Sequence, residues 1–225
     1  MQLTPTQIDD ELRFWLNQDR EHNLFMFLGL EEPALKAAAK ELHDRYAHLF
    51  SLRRGDNLQM MLRDVVPASQ ALKRRAIAMQ ERGAWIGWLF PSFIAHIRDE
   101  IDVMLARIRP GGIQSRDELC FGNRMNADHL AFASHLVDPS EATAKAAIDG
   151  KLRPDAVLAT NQCFTDTYGS LLELSRRTGR EVDAFFSNLD LRAVKDVIHP
   201  ALAAHVVREG KRFLQVIDQR LPKAA

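Results

Sequence analysis

Hydrophobic positions along this chain recur three and four residues apart, and no stretch alternates apolar with polar residues convincingly, so the pattern predicts an all-α protein. Thr4-Pro5 opens a first helix with a cap and a proline in its first turn, and the apolar stripe runs to about Leu30. Glu32-Pro33 opens a second helix that stops at Gly55. Asp56 or Asn57 caps a third, kinked at Pro67 and ending near Gly83, and Pro91 opens a fourth that runs to Arg109. Pro110-Gly111-Gly112 is the strongest linker signal, and a Ser115-to-Glu118 capping box starts the next helix directly after it.

Beyond the linker the same order returns. Residues 118–132, ELCFGNRMNADHLAF, repeat residues 11–25, ELRFWLNQDREHNLF. Glu11 pairs with Glu118, Leu12 with Leu119, Phe14 with Phe121, Glu21 with Asp128, His22 with His129 and Phe25 with Phe132. Near the end of each half Pro91, His96 and Glu100 recur as Pro200, His205 and Glu209. Asp138-Pro139 matches Glu32-Pro33. An insertion around Gly150 to Pro154 splits or lengthens the second helix, whose later part sets Asp166 and Tyr168 against Asp44 and Tyr46. The third helix of this half is abbreviated, at about 180–197. The expected architecture is an internal duplication: two tandem antiparallel four-helix bundles, residues 1–110 and 111–225, packed with pseudo-twofold symmetry.

Composition narrows the partners. At 225 residues and 46% hydrophobic content the chain can bury a core. Thirty basic against thirty acidic residues leave no net field, so charge suggests neither nucleic acid nor an anionic membrane. The basic runs Arg53-Arg54, Lys73-Arg74-Arg75 and Arg176-Arg177 read as solvated helix ends. The acidic start has no apolar core for a signal peptide, and the longest apolar run, Ala84 to Ile97, is too short for a membrane span and contains Pro91. A cytoplasmic protein is expected. Cys120 and Cys163 lack zinc-knuckle spacing and read as reduced core residues, and Trp15, Trp85 and Trp88 read as packing.

The chemistry lies in the repeated polar residues. His96 and Glu100 are four apart, as are His205 and Glu209, so each pair shares one helix face, and that face is otherwise apolar. A buried carboxylate needs partners. In an up-down-up-down bundle the first and fourth helices are antiparallel neighbours, which brings His22 to His96 and Glu100, and His129 to His205 and Glu209. Two imidazoles and one carboxylate form a facial triad with open positions for iron, manganese or zinc, iron being the first choice. Phe14, Phe25, Phe121 and Phe132 would keep such a site dry. Glu11 lies eleven residues from His22, about 16 Å along the helix, so one ion cannot bind both. With the halves related by a twofold axis, Glu11 comes level with His129 and Glu118 with His22, giving two histidines and two glutamates per site. Equally, Glu118 is explained by its capping box and Glu11 by an acidic helix start. Glu21 and Asp128 point off the histidine face, toward salt bridges or ligand orientation. His43, His48, His135 and His199 have no histidine counterpart and read as surface or core residues.

The motifs FWLNQDREHNLF and PSFIAHIRDE, with Asp128-His129 and PALAAHVVRE in the second half, resemble the Bacillus metalloprotein-like family. That family is a domain of unknown function built as a tandem duplication of four-helix bundles, some members being linked with spore coats. The resemblance runs from about Leu12 to Ile217 and implies metal binding, with His22, His96, Glu100, His129, His205 and Glu209 at the matching positions. The second half departs from the first where Gly122 stands for Trp15 and Asp128 for Glu21, so the two sites need not be filled equally. The order His then Glu also differs from the Glu-x-x-His of ferritin-like di-iron proteins. Three functions remain open at this point. They are a metal-binding protein or metal-dependent oxidoreductase acting on oxygen or peroxide, a zinc-stapled helical scaffold, and a metal-free scaffold that works through protein–protein contacts.

Overall fold

The computed structural model describes residues 3–52, 57–190, 198–219 and 221. The run Arg53-Arg54, the cap candidate Asp56 and residues 191–197 of the expected third helix of the second half lie outside these. The fold is all-α. Among the described residues the one piece of extended pairing is an isolated bridge between Leu30 and Gly87. No helix among them is long and apolar enough to cross a membrane.

The chain divides into two units, Met1–Gly112 and Ile113–Ala225. Gly111 and Gly112 at the division have φ of 89° and 62°, conformations that glycine takes without a steric cost. The first unit contains α1 (Pro5–Gly29), α2 (Pro33–Ser51), α3 (Asn57–Met60), α4 (Val66–Glu81) and α5 (Pro91–Ile108). Thr4 and Gln7 form a reciprocal capping box at the start of α1, and the Glu32 carboxylate caps α2 by accepting from the Leu35 amide at 2.6 Å. α1 packs on α2 and α5, and α4 packs on the same two, so the four long helices close a ring. Leu16, Met26, Leu35, Ile94, Ile97 and Ile101 on these helices are buried.

The expected kink at Pro67 takes the form of one wide π turn, Met61–Val65, which joins α3 to α4 just before the proline. Proline cannot donate to the preceding turn and its ring crowds that carbonyl, so widening the turn keeps the helix continuous.

The second unit contains α6 (Ser115–Leu136), α7 (Ala142–Ala147), α8 (Arg153–Asn161), α9 (Tyr168–Asp190) and α10 (Pro200–Gln219). A π turn at Ile148–Leu152 links α7 to α8 ahead of Pro154, where the insertion was expected to split the second helix. Three local expectations are corrected. The segment CFTDTYGSLLEL does not continue the second helix: a 3-10 turn, Gln162–Phe164, ends it, and α9 begins at Tyr168. The Thr167 hydroxyl accepts from the Ser170 amide at 3.2 Å, and this cap starts a full-length third helix where an abbreviated one was expected. Ser115 lies inside the first turn of α6, and the preceding cap residue, Gln114, makes no side-chain cap bond, so the Ser115-to-Glu118 box does not form.

The cysteines are not reduced. Cys120 on α6 and Cys163 in the 3-10 turn are joined in a disulfide, with Cα atoms 5.5 Å apart. They are 43 residues apart in sequence, so no local spacing motif announces the pair. Nor do all the tryptophans pack. Trp15 is buried, but Trp85 and Trp88 are 66% and 77% exposed. Both stand in the loop between α4 and α5, whose buried Ile86 accepts backbone bonds from Glu31 and Glu32.

Trp15 of α1 and Gly122 of α6 occupy matched sequence positions. A Cβ at Gly122 would run into the Phe213 ring of α10, so here the opposite helix supplies the aromatic bulk. Gly122→Ala should therefore destabilise the protein by about 1–3 kcal/mol through overpacking, read as a lower Tm by circular dichroism. Adding Phe213→Leu should restore part of the loss, and an unchanged Tm for the single variant would contradict this packing.

Candidate metal centre

α1 and α5 lie side by side, and the four-residue spacing on α5 turns His96 and Glu100 to one face, toward His22. His22 Nε2 is 2.8 Å from Glu100 Oε2, and His96 Nε2 is 3.2 Å from Glu100 Oε1. All three side chains are buried. In the second unit α6 and α10 repeat the arrangement: His129 Nε2 is 3.2 Å from Glu209 Oε2, and His205 Nε2 is 3.1 Å from Glu209 Oε1. Burial disfavours the charged form of Glu209, but His205 and His129, facing its two oxygens, outweigh it and hold the carboxyl well below the usual range.

Each glutamate is thus bracketed by two imidazole nitrogens. Donors about 2.1 Å from a shared ion, at octahedral to tetrahedral angles, stand about 3.0–3.4 Å apart, so each His–Glu spacing is close to that which a shared ion imposes. His22 with Glu100, His96 with Glu100, and His205 with Glu209 each fall in buried His and Glu groups close enough to hold an ion.

Glu11 and Glu118 are buried too, but neither joins such a group among the described residues. Within the first unit Glu11 accepts from Trp15 Nε1 at 2.8 Å and lies 3.7 Å from Arg107 Nη1, while the Arg107 guanidinium sits 5.0 Å from the Trp15 ring centre. His43, His48, His135 and His199 also stay outside. His129 has the Phe186 ring edge-on at 6.1 Å.

Sequence reasoning missed the polar network behind His22. Asp19, one turn earlier on α1, is fully buried, and its Oδ1 lies 3.6 Å from His22 Nδ1. It accepts from Tyr46 of α2 at 2.5 Å, and from Ser69 and Lys73 of α4 at 3.1 and 2.5 Å. Lys73 Nζ also donates to the carbonyl of Ile97 on α5 at 3.0 Å, so one carboxylate and one ammonium tie four helices together. Lys73 was expected at a solvated helix end and is instead fully buried; its neighbours Arg74 and Arg75 are exposed. The available signal was Asp19 itself, which shares the helix face of His22 at three-residue spacing. Burial opposes ionisation of Asp19, but Lys73, with His22, outweighs it and holds the carboxyl far below its usual range. Burial and the adjacent Asp19 push the Tyr46 hydroxyl well up, so it remains a donor.

No family model matches the chain. Over 257 aligned residues it is 25% identical to an uncharacterized protein, L567, of Acanthamoeba polyphaga mimivirus, covering 94% of this chain and 80% of the viral one. A crystal structure of an uncharacterized protein from Bacillus cereus G9241 superposes with a TM-score of 0.82, over 93% of this chain and 88% of that chain. The two share a fold. At 16% identity the likeness is one of fold alone.

The Asp19 network predicts acid behaviour. Its folded carboxyl titrates below its unfolded value, so its contribution to stability is fully present above about pH 4 and is lost as pH falls through the lower folded value. Asp19→Asn should cost about 3–5 kcal/mol at pH 7 by leaving the buried Lys73 without its counter-charge. Urea unfolding should show the gap to wild type narrowing as pH falls below about 4. A gap that stays constant would refute the assignment.

Proposed function

We propose that the protein is a metalloprotein in which His22, His96 and Glu100, and His129, His205 and Glu209, are ligands to a divalent or redox-active metal, iron first. The observation that carries this reading is the same in both units: two imidazole Nε2 atoms converge on the two oxygens of one buried glutamate. Two nitrogens and a carboxylate suit iron, manganese and zinc, and three protein ligands leave coordination positions open. A bound iron or manganese supplies Lewis acidity and electron exchange toward a ligand such as oxygen or peroxide. The chain's own part is to hold the donors in register and keep bulk water away, with Phe25 and Phe121 buried on the helices that carry His22 and His129. The repeated motifs support descent by tandem duplication and membership of the Bacillus metalloprotein-like family; the Bacillus cereus fold match is consistent with both.

Elemental analysis of tag-free protein, as isolated and after anaerobic reconstitution, tests the reading. The expected result is about two iron or manganese ions per chain, one for each glutamate, lost in the His22→Ala/His129→Ala double variant. Stoichiometric zinc whose chelation lowers Tm would make the metal a structural staple. No metal after reconstitution with iron, manganese or zinc would sink the proposal and leave a hydrogen-bonded core in a scaffold protein.

A further inference from the structure

The two trios have the same donors but not the same backing. Behind His22, Asp19 presents a carboxylate toward Nδ1, and Tyr46, Ser69 and Lys73 fix its rotation. Behind His129 the residue at the same three-residue spacing is Asn126, which is buried and uncharged, and its Nδ2 makes no hydrogen bond among the described residues. The bridge one turn before it on α6 is neutral too: Asn123 donates to Ser175 of α9 at 2.8 Å and to the Ala159 carbonyl of α8 at 3.3 Å.

We infer that the two trios bind metal unequally, the first unit's more tightly, because Asp19 acts as a positioning residue for His22. This rests on the metal reading above. A carboxylate behind Nδ1 offers an acceptor to an Nδ1–H, which frees the Nε2 lone pair for a metal held beside Glu100 and strengthens the imidazole as a ligand. Lys73 extends the control to the second imidazole, since the carbonyl it holds belongs to Ile97, the residue after His96. An amide in place of the carboxylate cannot supply the charge. The chemical class of the tighter ligand is a divalent cation that favours imidazole, and the first unit would fill before the second.

The full-length chain, freed of metal, is titrated with cobalt(II) against a chromophoric chelator. Wild type should show two binding steps separated by about 10- to 100-fold, with His22→Ala abolishing the tighter step. Asp19→Asn/Lys73→Met removes both buried charges together, so no ion is left unpaired; it should weaken the tighter step toward the other and shift the visible ligand-field band of the first cobalt. Asn126→Asp places a carboxylate behind His129 and should tighten the weaker step about tenfold, a gain that a merely structural role cannot produce. Leu35→Ala, an apolar change in the buried part of α2, should lower stability without moving the cobalt band. Two equal steps in wild type, or no movement of either step in both charge variants, would overturn the inequality and leave the metal reading standing. A wild type that binds no cobalt, iron or zinc would overturn both.

Discussion

A charged carboxylate inside a helical protein must be surrounded by donors or lose its charge, and the interior of each unit is organised around that constraint. Glu100 and Glu209 meet it with two imidazoles each, drawn from two helices. Asp19 meets it with a phenol, a hydroxyl and an ammonium from two further helices. These contacts are directional, unlike the apolar packing of Leu16 or Ile97 around them. They therefore fix helix rotation and register to within a hydrogen bond's tolerance. Registered in this way, α1 and α5 hold His22, His96 and Glu100 together before any ligand arrives, and preorganised donors are what a metal site needs.

Much of this was legible because it depends on helical periodicity. Four-residue spacing places His96 and Glu100 on one face, and antiparallel neighbours bring the late part of one helix level with the early part of another; these two rules give the trio without coordinates. What escaped depends on single side chains overruling local composition. Lys73 sits in a basic run whose other members are exposed, and only tertiary placement separates it from Arg74 and Arg75. The Thr167 cap lies inside a stretch that echoes the second helix of the first half, so similarity in sequence masked a helix start. A disulfide spanning 43 residues leaves no local trace, and the exposure of Trp85 and Trp88 follows from a loop that turns Ile86 inward in their place.

The two units solve the same packing problem with different residues. Trp15 brings its bulk from α1, while Gly122 leaves room on α6 for Phe213 to bring bulk from α10. The wide turns ahead of Pro67 and Pro154 fall in the third helix of one unit and the second of the other. Ring volume can be contributed from either side of an interface, and a π turn can be accommodated wherever a helix is long enough, so neither choice disturbs the trio. The polar supports are less interchangeable, because an Asn at the place of Asp19 changes charge as well as shape.

Energetics separates a working site from an incidental polar core. Replacing buried ionic groups with well-packed apolar ones of similar volume is often neutral or stabilising. A scaffold that served only to present its surface would gain helix register, but little net stability, from His22, His96, Glu100, Asp19 and Lys73 in its interior, and from His129, His205 and Glu209 in the second unit. Their desolvation is offset by mutual contacts, but those contacts restore what burial took away and add little beyond it. On the metal reading proposed above, a divalent cation would bind the converging nitrogens and carboxylate oxygens more strongly than they bind one another, and its charge would turn each trio from a cost in folding into a source of stability.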